Sequence, residues 1–240
     1  TLIAFYILKN FLKFDKVNSI AIAAHYGSCS AVTFAVVTSV LKASGIIYEQ
    51  YSTVLLVLFE IPGIAAAILL AKVDTNTKFN VKALVHDVFL GKSILLLIGG
   101  LIIGIFIGYT GNKQLDFFFI DLFKGFLALF MVEMGIITAK RLKDLKKVGI
   151  PLVLFGIGMP VIAGILGIIA GKLCGLSYGG TVVLGTLSAS ASYIAAPAAM
   201  QIALPNSNPT YYLTASLGIT FPFNILIGIT LYQYLSSFLY

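Results

Sequence analysis

The chain has 240 residues, of which 59% are hydrophobic and only 10% are charged, and its formal net charge is +7. A water-soluble domain normally has about a quarter of its residues charged, so this composition excludes that class and indicates a polytopic helical membrane protein. The few basic residues form no dense basic face, which excludes a nucleic-acid-binding protein.

Taken in chain order, the apolar segments predict one partial and several complete membrane crossings. Residues 1–12 are apolar but too short to cross a bilayer core of about 30 Å, and they look like the end of a spanning helix. Residues 72–82 are polar and predict a solvated loop. The predicted complete crossings are residues 17–41, 51–71, 88–109, 116–139, 149–173, 180–204 and 211–235.

Two of these segments are interrupted by small hydroxyl-bearing residues in similar contexts. Residues 27–34 read G-S-C-S-A-V-T-F, and residues 188–197 read S-A-S-A-S-Y-I-A-A-P. When Ser28 is aligned with Ser190, Ser30 falls on Ser192, and each interruption is followed by a polar break and a Pro-containing span. Interrupted helices in corresponding places of two halves are the best sequence indication of a transporter's substrate site.

The matched interruptions predict an all-α fold, an inverted repeat of five transmembrane helices each with a broken fourth helix. Residues 1–72 are the predicted remainder of the first repeat, truncated at its N-terminus. Residues 73–87 are the predicted cytoplasmic inter-repeat loop, and residues 88–240 are the second repeat. By this count, about 75–85 residues are missing before Thr1.

Basic residues concentrate in alternate connections, at residues 9–16, 72–92 and 140–147. Short loops rich in Lys and Arg face the cytoplasm. We therefore expect these loops to be cytoplasmic and the C-terminus to lie outside, with the chain crossing the cell (inner) membrane several times.

The interruptions themselves predict a binding site for a small anion. A half-helix that begins near Ser30 or Ser192 directs its free N–H groups and its positive dipole end at the interruption. The hydroxyls of Ser28, Ser30, Ser190 and Ser192 add donors to that site. The alternative interpretation is that small residues only allow close helix packing in lipid.

Two carboxylates, Glu60 and Glu133, lie well inside predicted spans, where each is a functional candidate because burying a charge in lipid is costly. Glu60 is the stronger candidate, since Pro62 frees a backbone carbonyl near it. Glu133 is either functional or a buried structural acceptor. The candidate ligands for a Na⁺ ion are Glu60, Thr33, Ser190, Thr220 and Asn224.

Residues 23–34, 59–62, 188–200 and 204–224 resemble the sodium-dependent bicarbonate transporter family of SbtA-like permeases, and the resemblance extends over essentially the whole chain. It implies Na⁺-coupled symport of bicarbonate, an inner-membrane homotrimer, and elevator-like movement of a core domain. It also implies a PII-like regulatory partner and Na⁺ as coupling ion, with no organic cofactor.

The resemblance assigns candidate substrate-binding residues to both interruptions, and Glu60 falls where cyanobacterial members carry an acidic residue. Residues 190–193 of this chain read S-A-S-Y, where those members read S-S-S-D. Ala191 therefore lacks a hydroxyl and Tyr193 lacks a carboxylate that those members have. The residues that match the family's two anion-binding loops are Gly27, Ser28, Cys29, Ser30, Ser190, Ala191 and Ser192.

The expected function is therefore Na⁺-coupled symport of bicarbonate or a similar small anion. The alternatives are cation/proton antiport through Glu60 or Glu133, and uptake of another small organic anion. An intramembrane enzyme with a serine nucleophile would need a base within reach of it. His25 near Ser28 is a poor pair on a distorted turn, so we expect no enzyme.

Overall fold

The computed structural model describes residues 1–75, 92–107, 117 and 122–240, and every regular element in these ranges is helical, which confirms the all-α prediction. The predicted inter-repeat loop lies largely outside the described residues. The helices are α1 Leu2–Phe11, α2 Lys16–Gly27, α3 Ala31–Ala43, α4 Ser52–Thr75, α5 Lys92–Ile107, α6 Leu122–Leu142, α7 Leu145–Leu173, α8 Tyr178–Ala189, α9 Ala195–Ala203 and α10 Pro209–Ser237.

Within the described ranges, four helical segments are long and apolar enough to cross a membrane. One of them is the α2–α3 pair, which is interrupted near its middle. Length and composition thus agree with a polytopic membrane protein. The segments are Lys16–Ala43, Ser52–Lys72, Val148–Leu173 and Pro209–Ser237.

The helices α2 and α8 have the same length and begin in the same way. Each contains 12 residues. The Asp15 side chain accepts the N–H of Asn18 at the start of α2, and the Ser177 side chain accepts that of Gly180 at the start of α8. Each cap stabilises a first turn, because it satisfies an N–H group that has no partner within the helix.

Both helices also end at a serine in extended conformation. The C-cap of α2 is Ser28 (φ −105, ψ 179), and the C-cap of α8 is Ser190 (φ −79, ψ 164). Two residues later, the Ser30 hydroxyl accepts a first-turn N–H of α3 at 3.2 Å, and the Ser192 hydroxyl accepts one of α9 at 3.2 Å. Helix, interruption and serine follow in the same order in both stretches, although α3 begins directly after Ser30 and α9 begins three residues after Ser192.

The correspondence extends to the turns that precede these helices. Two residues after the end of α1, Lys13 has a φ of 58, and two residues after the end of α7, Gly175 has a φ of 74. Glycine adopts this left-handed region at little cost, whereas lysine is strained there. The two turns therefore share a left-handed residue at the same place, although lysine is unfavourable there.

Each of these two helices meets the loop that follows the other broken helix. The backbone N–H of Asn208, after α9, donates to Oδ1 of Asn18 on α2 at 2.7 Å. The backbone N–H of Ser177, before α8, donates to Oε1 of Glu49 in the loop after α3 at 2.5 Å. The two contacts are reciprocal, so the two broken helices are antiparallel in the fold.

Most residues of α2 and α8 are buried. The largest hydrophobic cluster surrounds α2 with residues of α4, α7, α9 and α10, including Ile64, Leu152, Met200 and Tyr212. This burial positions both interruptions inside the protein.

The backbone of α4 passes very close to the end of α2. A Cβ atom at Gly63 would collide with the carbonyl oxygen of Gly27 and the backbone nitrogen of Ser28. Only glycine allows such an approach. Since Glu60 lies less than one helical turn before Gly63, the approach brings its carboxylate to the first interruption.

Candidate functional site

The two interruptions bind each other directly through backbone N–H groups. The N–H of Ser30 donates to Oγ of Ser190 at 2.9 Å. The N–H of Ser192 donates to the carbonyl oxygen of His25 at 2.8 Å. The serine clusters, far apart in the sequence, therefore form one local structure at the centre of the protein.

A cavity of about 330 Å³ opens at this junction. Both interruptions line it, and Glu60 contributes a carboxylate that is only 8% exposed overall. The α5 helix closes one side through Leu96. The lining residues are Cys29, Ser30, Ala31, Glu60, Leu96, Ser192, Tyr193 and Ile194.

Two of the predicted ligand hydroxyls already have hydrogen-bond partners for both roles. The Ser190 hydroxyl accepts from the N–H of Ser30 and donates to the carbonyl of Leu187 at 2.7 Å. The Ser30 hydroxyl accepts from the N–H of Thr33 and donates to the Tyr193 hydroxyl at 3.2 Å. Because a hydroxyl carries one proton, neither can donate to a ligand while these bonds persist.

The other two hydroxyls retain donor capacity. The Ser28 hydroxyl is buried and has no hydrogen-bond partner among the described residues. The Ser192 hydroxyl accepts from the N–H of Ala196, and its proton meets no acceptor in the described part of the chain. A buried hydroxyl without a partner is costly, so these two positions are suited to a polar ligand or water.

The start of α3 supplies further donors. First-turn N–H groups of a helix have no acceptor within it, and they carry the positive end of the helix dipole. Ala31 and Val32 are the first two residues of α3, and Ala31 lines the cavity. In α9, Pro197 removes one such N–H. The α3 terminus is therefore better equipped to bind an anion than the α9 terminus.

The sequence-predicted Na⁺ ligands do not share one location. Glu60 lines the cavity, whereas the Thr220 hydroxyl donates to the carbonyl of Gly156 at 2.6 Å and lies 2.7 Å from the Tyr26 hydroxyl. Thr33 is buried, and its N–H donates to the hydroxyl of Ser30, the N-cap of α3. Thr220 thus joins α10, to which it belongs, to α7 and α2.

Asn224 is held by a separate pair of hydrogen bonds. Its amide nitrogen donates to the carbonyl of Ala189 at 2.9 Å, and its amide oxygen accepts from the Tyr232 hydroxyl at 3.0 Å. Asn224 is fully buried. These bonds join the end of α8 to α10 and hold the Asn224 side chain in place.

The α10 helix departs from the continuous span that the sequence predicts. It contains two π-helical turns, Thr214–Thr220 and Asn224–Gly228, on either side of the turn that holds Pro222. Such wide turns are rare and often occur at functional sites. Pro222 was the available sequence signal, since proline disrupts regular helical hydrogen bonding.

His25 and Ser28 do not form the pair that a serine enzyme would need. Nδ1 of His25 lies 2.7 Å from the carbonyl oxygen of Ala21, and the ring stacks on Tyr212 with centroids 4.5 Å apart. Nε2 of His25 and the hydroxyl of Ser28 each lack a hydrogen-bond partner among the residues described, so they do not bond to each other.

Glu133 lies apart from this cavity. It is on an exposed face of α6 and lines a separate apolar groove of about 550 Å³ between α3 and α6. The groove shares Ala31 and Ile194 with the cavity but not Glu60. The structure therefore separates the two intramembrane carboxylates that the sequence singles out.

Broken helices whose ends meet at a buried cavity define the protein as a membrane transporter of the broken-helix class. The chain matches the Na⁺-dependent bicarbonate transporter superfamily over residues 1–237 and belongs to that family. No curated protein matches the chain. At the family level, the activity is Na⁺-dependent bicarbonate transport, with Na⁺ as the coupling ion and no enzymatic reaction implied.

Proposed function

We propose that this chain transports bicarbonate or a similar small anion together with Na⁺, and that the anion binds between the two interruptions. The observation that carries the proposal is the cavity that both interruptions line, with Glu60 in its wall. A carboxylate repels an anion at short range, and a Na⁺ ion between them would reverse that interaction. Each ion would then raise the affinity for the other, which is the coupling that symport requires.

The proposed anion site combines the N–H groups at the start of α3 with the hydroxyl of Ser192, which lines the cavity, and with the buried hydroxyl of Ser28, which precedes the lining residue Cys29 without lining the cavity itself. The backbone of Gly27, Cys29 and Ala191 shapes it, and the resemblance to the family assigns the same stretches. Ser30 and Ser190 hold the two interruptions together, so their contribution is to fix the site. Glu60 is the proposed Na⁺ ligand among the candidates.

We further infer that the fold is an inverted repeat. Support comes from the matched caps and lengths of α2 and α8 and from their reciprocal contacts with the opposite loops. In this arrangement, the basic loops face the cytoplasm and the C-terminus lies outside. A homotrimer and a PII-like regulator remain proposals that rest on the resemblance alone.

Cation/proton antiport is the second candidate function. Glu60 favours this function as well, since a carboxylate in the wall of the cavity could bind either a proton or a cation. The two functions differ in one requirement: antiport needs no anion. Uptake of another small organic anion would keep the proposed mechanism and change only the substrate.

The test is uptake of labelled bicarbonate into proteoliposomes that hold the full-length protein, with and without an inward Na⁺ gradient. We expect uptake only with the gradient, and loss of uptake in Ser192→Phe, whose ring would fill the cavity. The matched control is Ser237→Phe at the exposed end of α10. Na⁺ flux driven by pH in the absence of bicarbonate would instead establish antiport.

A further inference from the structure

Tyr193 stands at the point where the second interruption meets the cavity. It is 8% exposed, lines the cavity, and packs edge-on against Phe221 of α10, with ring centroids 5.3 Å apart and an interplanar angle of 70°. Its hydroxyl reaches across to Ser30 of the first interruption. The ring is therefore fixed by packing, while its polar end lies between the two broken helices.

The hydrogen bonds around Ser30 determine the role of the Tyr193 hydroxyl. The Ser30 oxygen accepts the N–H of Thr33, and its proton goes to the Tyr193 oxygen. Tyr193 is thus the acceptor in this bond and keeps its own proton, which meets no acceptor in the described part of the chain. A hydroxyl that accepts a hydrogen bond becomes a better donor, because hydrogen bonds in a chain polarise one another.

We propose that the Tyr193 hydroxyl donates a hydrogen bond to the transported anion and makes the site selective for a small monovalent oxyanion, a class that includes bicarbonate and small carboxylates. This inference rests on the proposed function. The donors in contact with the anion are then neutral hydroxyls and N–H groups. The negative charge of Glu60, which also lines the cavity, stays available for the cation.

A hydroxyl at position 193 adds a donor to the cavity without adding a charge beside Glu60. A carboxylate at this position would put a second negative charge in the wall that Glu60 already lines. Each added negative charge raises the cost of bringing an anion close unless a bound cation offsets it. The tyrosine provides a donor at the same place without that charge.

The test compares Tyr193→Phe with the unchanged full-length protein in proteoliposomes at saturating Na⁺. Phenylalanine keeps the ring against Phe221 and removes only the hydroxyl. We expect the KM for bicarbonate to rise about tenfold or more, as for a lost hydrogen bond to a charged group. The matched control is Tyr178→Phe, which loses a hydroxyl bonded to the carbonyl of Gln233 and does not line the cavity; its KM should be unchanged.

A second measurement guards against a folding defect. Bicarbonate with Na⁺ should raise the unfolding temperature of the purified protein, and Tyr193→Phe should need about tenfold more bicarbonate for the same rise. An unchanged KM in Tyr193→Phe overturns the inference and leaves the proposed function standing. A lowered KM also overturns it, because the hydroxyl would then compete with the anion. Absence of bicarbonate uptake by the unchanged protein overturns both.

Discussion

The backbone N–H of Ser30 donates to the side-chain oxygen of Ser190 at 2.9 Å, across 160 positions of the sequence. The bond joins the start of α3 to the end of α8. Because the N–H of Ser192 donates to the carbonyl of His25 in the other direction, the junction is held from both sides. The two interruptions should therefore respond to mutation as one unit.

Ser190→Ala tests this junction. The change removes the acceptor of the Ser30 N–H and leaves that group buried without a partner, which costs about 1–3 kcal/mol. We expect a lower unfolding temperature in detergent and impaired uptake. Ser237→Ala is the control, because its hydroxyl is exposed and bonds only within its own helix end. Equal unfolding temperatures for the two variants would show that the Ser30–Ser190 bond contributes little.

Gly63→Ala tests the close approach of α4 to α2. The added methyl group collides with the backbone at Gly27 and Ser28, which cannot move aside as a flexible side chain can. We expect destabilisation of about 1–3 kcal/mol or more and loss of uptake. Gly104→Ala in α5 adds the same methyl group where no atom of the described residues beyond its own stretch of helix lies within 4 Å, and it should leave the unfolding temperature unchanged or slightly raised.

Asn224→Ala separates a structural role from ion binding. The amide of Asn224 bonds the carbonyl of Ala189 and the hydroxyl of Tyr232, so its removal leaves both without that partner. We expect destabilisation of about 1–3 kcal/mol, with the Na⁺ concentration for half-maximal uptake unchanged. A large rise in that concentration in a protein of normal stability would restore Asn224 to the Na⁺ site.

Glu60→Gln tests the proposed Na⁺ ligand with a side chain of nearly the same shape. Loss of a unit charge close to a cation costs more than about 1.4 kcal/mol, so the half-saturating Na⁺ concentration should rise at least about tenfold. Glu133→Gln is the matched control on α6, outside the cavity. The reverse pattern, with Glu133→Gln impaired and Glu60→Gln normal, would move the cation pathway to the groove between α3 and α6.

The sequence predicts the broken helices well because their limits depend on local chemistry. Asp15 and Ser177 are N-caps, and serines end α2 and α8, so the helix limits follow from side chains within a few residues. Ser28 and Ser190, which the sequence alignment pairs, both follow the last residue of a helix and both have an extended backbone conformation. Apolar length likewise predicts four long apolar segments in the described ranges, whereas the predicted crossing at residues 180–204 is not among them.

The relations between distant segments are not predictable in this way. The repeat alignment groups Thr220 and Asn224 with Glu60, yet the structure engages the first two with neighbouring helices and leaves Glu60 at the cavity. The π-helical turns of α10 displace its side chains from the positions that a regular helix predicts. Tyr193 is identified in sequence only as a departure from the family, because its bond to Ser30 depends on tertiary packing.

The most direct test of an anion site between the interruptions uses Cys29, which lines the cavity. With the exposed Cys174 replaced by serine, the rate at which a small thiol reagent modifies Cys29 reports access to the site. We predict that bicarbonate slows this modification in the presence of Na⁺ and not in its absence. Modification at the same rate with and without both ions, in protein that takes up bicarbonate, would place the substrate elsewhere.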